Sequence, residues 1–178
     1  MTNDSEGGGM GIILSPVLKI ANVACINLAL LACAANNKVA QESTEIVLSA
    51  NQGSNDVSVY RVNMKDGQLT AVEGSPFHTG AYPVSVAVSP DGRYAYVTNQ
   101  GSDSITAYQI DDITGRLTEL TGSPYGAGRH PVWVAIEPAG RYMYITNDES
   151  DTLTTFAIDP DSGTLQRRAD TVSSGPYP

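Results

Sequence analysis

The sequence predicts an all-β protein built as a β-propeller. Three observations predict it: a fixed repeat period, short strands within each period, and no helical periodicity after residue 45. The period is 48 residues. Gly80-Ala81-Tyr82-Pro83 returns as Gly128-Arg129-His130-Pro131, and Tyr96-Val97-Thr98-Asn99 returns as Tyr144-Ile145-Thr146-Asn147. One period earlier, Asn51-Gln52-Gly53-Ser54 precedes Asn99-Gln100-Gly101-Ser102, and Gly74-Ser75-Pro76-Phe77 precedes Gly122-Ser123-Pro124-Tyr125. A period of this length filled with short strands marks propeller blades. Strands this closely spaced would also suit a two-sheet sandwich. The strict period and the repeated Gly-x-x-Pro crossover favour the propeller.

Within the middle repeat, Val84–Val88 alternates as a first strand and Ser89-Pro90-Asp91-Gly92 turns the chain. Arg93–Thr98 is the second strand, Asn99–Asp103 a turn, and Ser104–Ile110 the third strand. Gly115 ends the next turn before a fourth strand, Arg116–Leu120. Val, Ile, Thr and Tyr suit pleated strands, whereas Gly, Pro, Asn and Asp supply turn angles. A blade is covered on both faces by its neighbours, so small residues such as Ser85, Ala87 and Ala95 would let sheets approach closely. The blade repeats fall at about 45–79, 80–127 and 128–174, with the start of another at 175–178. The first opens at its second strand, Glu45–Ala50. Asn36–Ala40, one period before Val84–Val88, is too polar for a buried inner strand, so the first blade is expected to be incomplete.

Residues 1–45 differ in composition. Ile20–Cys33 is uncharged and mostly apolar, a length that fits a secretory signal and falls short of a bilayer-spanning helix. Leu30-Leu31-Ala32-Cys33 looks like a lipoprotein cleavage box. Residues 1–33 are therefore read as a signal with Cys33 as the lipidated residue, and 34–44 as a linker. The expected location is extracytoplasmic, in the periplasm, on the outer membrane or at the cell surface, with membrane contact only through the lipid anchor. An uncleaved apolar anchor or a disordered tail is the competing reading.

Both cysteines, Cys25 and Cys33, precede the repeats, so the repeats hold no disulfide framework and no zinc motif. The chain carries 19 acidic and 10 basic residues, net −9, dispersed over turns. Such a surface repels polyanions and excludes nucleic acid as a natural partner. Asp159-Pro160-Asp161-Ser162-Gly163 lacks the distant bidentate Glu of a calcium loop and reads as a hairpin turn. Neither a metal nor a cofactor is expected.

Loops of antiparallel strands alternate faces. The loop entering a blade therefore shares a face with the loop joining its second and third strands. This brings Arg129 and His130 beside Asn147, Asp148 and Glu149, where the preceding repeat has the uncharged Ala81, Tyr82, Asn99 and Gln100. It is the one site-like asymmetry in the sequence. An imidazole, two carboxylates and a guanidinium together could supply a base to activate water and a donor for a developing oxyanion. The bland reading of the same residues is solvated loop charge. His78 receives no role, and Trp133 is expected to pack.

The frame Ser-Pro-Asp-Gly-Arg-Tyr-Ala-Tyr-Val-Thr-Asn-Gln-Gly-Ser, residues 89–102, resembles the bacterial seven-bladed propellers grouped as the lactonase family, which includes the propeller type of 6-phosphogluconolactonase. The resemblance covers residues 45–178 and implies seven blades, of which about three are present. It implies an Arg-His pair at an inter-blade loop and a glutamate after the Asn ending the second strand. Arg129 and His130 match the pair, with Pro131 after it rather than before. Asp148 takes the glutamate position, followed by Glu149. The resemblance implies a sugar-lactone hydrolase with a small-molecule lactone or carbohydrate substrate. The alternative is a non-enzymatic extracytoplasmic propeller that binds an envelope protein, peptide or glycan.

Overall fold

The structure, a computed structural model, describes residues 29–30, 45–168 and 172–173. The described strands form three antiparallel sheets of five segments each. The first sheet holds β1 (Ala29–Leu30), β2 (Ile46–Asn51), β3 (Asp56–Val62), β4 (Leu69–Ala71) and β5 (Phe77–His78). The second holds β6 (Pro83–Val88), β7 (Tyr94–Asn99), β8 (Ser104–Ile110), β9 (Leu117–Glu119) and β10 (Tyr125–Gly126). The third holds β11 (Pro131–Ile136), β12 (Tyr142–Asn147), β13 (Thr152–Ile158), β14 (Leu165–Arg167) and β15 (Val172–Ser173). One short 3-10 turn, Gln100–Ser102, is the helix among the described residues. These are propeller blades, and the expected all-β architecture is what the chain adopts.

Two details depart from the expected strands. The fourth strand of each blade is split, so that β9 and β10 both pair with β8 on either side of a loop. In that gap the Ala107 amide donates to the Ser123 hydroxyl at 3.0 Å, as the Val59 amide donates to Ser75 Oγ at 2.9 Å. A serine side chain thus replaces one rung of the backbone ladder. The second departure is at the first blade. The β2 edge of the incomplete first blade is paired over two residues, with Ala29 opposite Leu48 and Leu30 opposite Val47. A strand edge presents unpaired N–H and C=O groups, which take an available extended segment. Residues 1–28 and 31–44, which include Cys33 and the linker, lie outside the described residues.

Alternation along β7 explains how a blade packs on both sides. Ala95 and Val97 point toward the first blade, into a core with Leu48, Val57 and Val59. Tyr94 and Tyr96 point the other way, into a core with Val134, Met143, Ile145 and Phe156. Burying side chains of this size contributes about 1.5–3 kcal/mol each. The turn between third and fourth strands then seals the boundary. Tyr96 donates its hydroxyl to the Gly163 carbonyl at 2.8 Å, and Tyr94 donates to the Asp161 carbonyl at 2.6 Å. Gly163 has φ +70 and lies flat on the Tyr94 ring, leaving no room for a Cβ.

The matching face of the third blade is open. Tyr144 is 36% exposed where Tyr96 is fully buried, and Trp133 is 45% exposed where Ser85 is 1% exposed. The described residues alone do not test the packing expected of Trp133. It stands, half-exposed, on the face that one blade earlier is covered by the next sheet.

Candidate active site

The site begins with the asparagine that ends each second strand. Asn147 is fully buried at the close of β12. Its amide donates to the Thr154 hydroxyl at 3.0 Å and the Thr152 hydroxyl at 3.2 Å, while Oδ1 accepts from the Gly128 amide at 3.1 Å. Asn99 does the same work in the middle blade, bonding Thr106, Ser104 and Thr79. Each asparagine thus ties the incoming crossover to its own blade. The crossover glycine follows from this: a Cβ on Gly80 would lie 2.7 Å from Asn99 Cγ, and one on Gly128 would lie 2.4 Å from Asn147 Cγ.

Beyond Gly128 the chain turns through Arg129 and His130 before β11. His130 adopts φ +57, a left-handed conformation that Tyr82 shares at the same position of the middle blade. Its carbonyl accepts the Asp148 amide at 3.1 Å. This backbone contact brings the two side chains together, and His130 Nδ1 hydrogen-bonds Asp148 Oδ1. Beside them Arg129 donates to Glu149 at 2.7 Å. The four residues singled out in the sequence therefore meet as two adjacent pairs on one face. The His130 and Asp148 side chains are about one-third exposed, whereas those of Arg129 and Glu149 are more open, at 70% and 52%. A partly sheltered imidazole oriented by a carboxylate, next to an accessible guanidinium, has the parts of a general base with an anion-binding neighbour.

Residues 74–177 match the model of the family described as lactonase, seven-bladed β-propeller. The chain belongs to this family. Among solved structures, a candidate 6-phosphogluconolactonase from Bacteroides fragilis aligns with TM-score 0.66 and 22% identity over 72% of this chain and 36% of that one. The periplasmic gluconolactonase of Pseudomonas aeruginosa gives TM-score 0.66 and 23% identity over 74% of this chain and 38% of its own. A functionally unknown protein from Desulfotomaculum acetoxidans gives 0.62 and 24% over 69% and 37%. At these identities the likeness is one of fold. This lactonase-family chain therefore spans well under half the length of the solved relatives it resembles. No curated protein matches it.

Within this lactonase-family chain, the described residues hold no cluster of three His, Cys, Asp or Glu side chains able to hold a metal. A cavity of about 160 Å³ lies apart from the pairs, lined by His78, Thr79, Gly80, Thr106, Glu119 and Pro124. The carbonyl of His78 accepts the Tyr108 hydroxyl. Sequence reasoning missed the asparagine plug, although its signal was present. An Asn recurring at 51, 99 and 147, always as the last residue of a strand and three places before a serine, is a hydrogen-bonding position rather than a turn residue.

Proposed function

We propose that this chain contributes the general-base half of a lactone-hydrolysing site, with a sugar lactone as substrate. The observation that carries the reading is the His130–Asp148 contact, on a loop whose counterpart one blade earlier holds Tyr82 and Gln100. With Asp148 accepting from Nδ1–H, the imidazole keeps its Nε2 lone pair free to act as a base. Nε2 takes a proton from water as the water oxygen bonds to the lactone carbonyl carbon. The carbonyl oxygen becomes an oxyanion, for which the exposed Arg129 is the nearby cation. Collapse breaks the bond from the acyl carbon to the ring oxygen, and that oxygen leaves as an alcohol with the proton from His130. The product is the open hydroxy acid.

Base catalysis of this kind is worth about 10²–10⁴ in rate. Opening of gluconolactone and of its 6-phospho form by the full-length protein is the direct test. His130→Ala and Asp148→Ala should each lower kcat/KM by about a hundredfold. Activity that survives both, or none above background in the wild type, contradicts the reading. An Arg129→Gln variant that raises KM for the phosphorylated lactone alone would assign Arg129 to the phosphate, since guanidinium groups suit such oxyanions.

We also infer an extracytoplasmic location. The apolar run ending at Cys33 supports it, as does the resemblance to a protein named as a periplasmic gluconolactonase. Labelled palmitate should be incorporated in the wild type and lost in Cys33→Ser; label that persists in Cys33→Ser defeats the anchor.

A further inference from the structure

We infer that Asp103, a residue of the middle blade, is a positioning residue for His130 in the third, so that the site is assembled across a blade boundary. This rests on the reading of His130 as the base. Any residue with a Cβ pays a cost in the left-handed region, where Cβ crowds the neighbouring carbonyl, although His occurs there more often than most. His130 holds φ +57 nonetheless. Asp103 holds it there by two bonds: its carbonyl accepts the Ala127 amide at 2.8 Å, and its Oδ1 accepts the His130 amide at 2.7 Å.

The same latch stands one blade earlier. The Asn55 carbonyl accepts the Thr79 amide at 3.1 Å, and Asn55 Oδ1 accepts the Tyr82 amide at 2.8 Å. Asn55 and Asp103 are themselves left-handed, at φ 57 and 51, and Tyr82 matches His130 at φ 57. The latch therefore recurs whatever side chain it presents, and either an amide or a carboxylate oxygen can serve. Its effect is directional. At a left-handed residue the Cα–Cβ bond leaves the chain at an angle that ordinary extended backbone does not reproduce. With the latch closed, the His130 carbonyl meets the Asp148 amide and the imidazole meets the Asp148 carboxylate. Released, His130 relaxes toward the β region and swings its ring off Asp148.

Asp103→Gly tests this with little risk to folding, because glycine accepts φ 51 and only the side-chain acceptor is lost. Asp103→Asn keeps the acceptor, and Asn55→Gly opens the equivalent latch away from His130. In the full chain, the His130 backbone amide reports the latch and its imidazole ¹⁵N shifts report the pair. Asp103→Gly should speed exchange of the His130 amide and move the imidazole shifts toward those of Asp148→Asn. It should also lower kcat for lactone opening by about tenfold or more, the usual scale of a misplaced catalytic group, with KM nearly unchanged. Asp103→Asn should restore all three, and Asn55→Gly should leave them at wild-type values. His130 signals untouched by Asp103→Gly, or Asp103→Asn as damaging as Asp103→Gly, overturn the inference. If Asp148→Asn leaves the imidazole unmoved, the base assignment falls, and the amide exchange alone then decides whether the latch exists.

Discussion

The crossover into the middle blade and the crossover into the third share a backbone and differ in chemistry. Both pass a glycine pressed against a buried asparagine, both place a non-glycine residue at φ 57, and both are held by an acceptor from the blade before. At the held position the middle blade presents Tyr82, whose carbonyl accepts the Gln100 amide. The third presents His130, bonded to Asp148. The scaffold is thus separable from what it displays. A repeat protein can vary the residues on such a loop without changing the bonds that shape it, which is how one architecture hosts unrelated activities.

If the scaffold is common, breaking it should cost both blades alike. Asn99→Ala and Asn147→Ala each leave several buried donors and acceptors unpaired, at about 1–3 kcal/mol per group. We expect each to lower stability by about 4 kcal/mol in urea melts, at the upper end for single substitutions. A large difference between them would mean that the two crossovers are not equivalent.

The glycines that seal the blade boundaries should behave less evenly. Gly163 faces the rigid Tyr94 ring, whereas a Cβ on Gly115 would meet the Ile46 and Val72 methyl groups at 3.1 and 3.2 Å. Both have positive φ. Gly163→Ala should cost about 3 kcal/mol and Gly115→Ala about 1.5, by the usual scale of overpacking and left-handed strain. The same melts measure both.

Outer faces provide a smaller contrast. Trp133 and Tyr144 leave an apolar surface where the middle blade is covered, and exposed apolar patches drive association. Trp133→Ser, restoring the residue type of Ser85, should weaken self-association of the chain about tenfold, or 1.4 kcal/mol, in sedimentation velocity over a concentration series. Unchanged association would locate the sticky surface elsewhere.

The smallest effect is electrostatic. The Ser162 backbone amide, with the Ser162 hydroxyl, holds the Asp159 carboxyl below its ordinary 3.8, and Thr114 does the same for Asp111. A depressed carboxylate contributes stability that is present above pH 3.8 and lost as pH falls through the lower folded value. Asp159→Asn and Asp111→Asn should each lower stability slightly near neutrality, and the difference from the wild type should vanish as pH falls through the lower folded value, which leaves the variants a flatter acid limb.

Much of this was legible in the amino-acid sequence because it is periodic. Strands and turns could be placed by overlaying repeats, and the same overlay isolated Arg129, His130, Asp148 and Glu149 as the residues that break the pattern. What it could not reveal depends on contacts between repeats. The latch joins Asp103 to His130 across 27 positions and requires left-handed angles that Asp and His tolerate better than most residues but do not by themselves announce. The split fourth strand depends on a serine hydroxyl standing in for a backbone group. Whether Trp133 packs is set by the neighbouring sheet, not by its own strand.

The central claim is that the third crossover carries removable chemistry on a scaffold shared with the second. Converting it to its neighbour's residues tests this directly, with His130→Tyr and Asp148→Gln made together in the full-length protein and stability and lactone opening measured side by side. Stability should stay within about 1 kcal/mol, as expected away from the core, while kcat/KM falls by about a hundredfold or more. Loss of folding together with activity, or full retention of activity, would contradict the account.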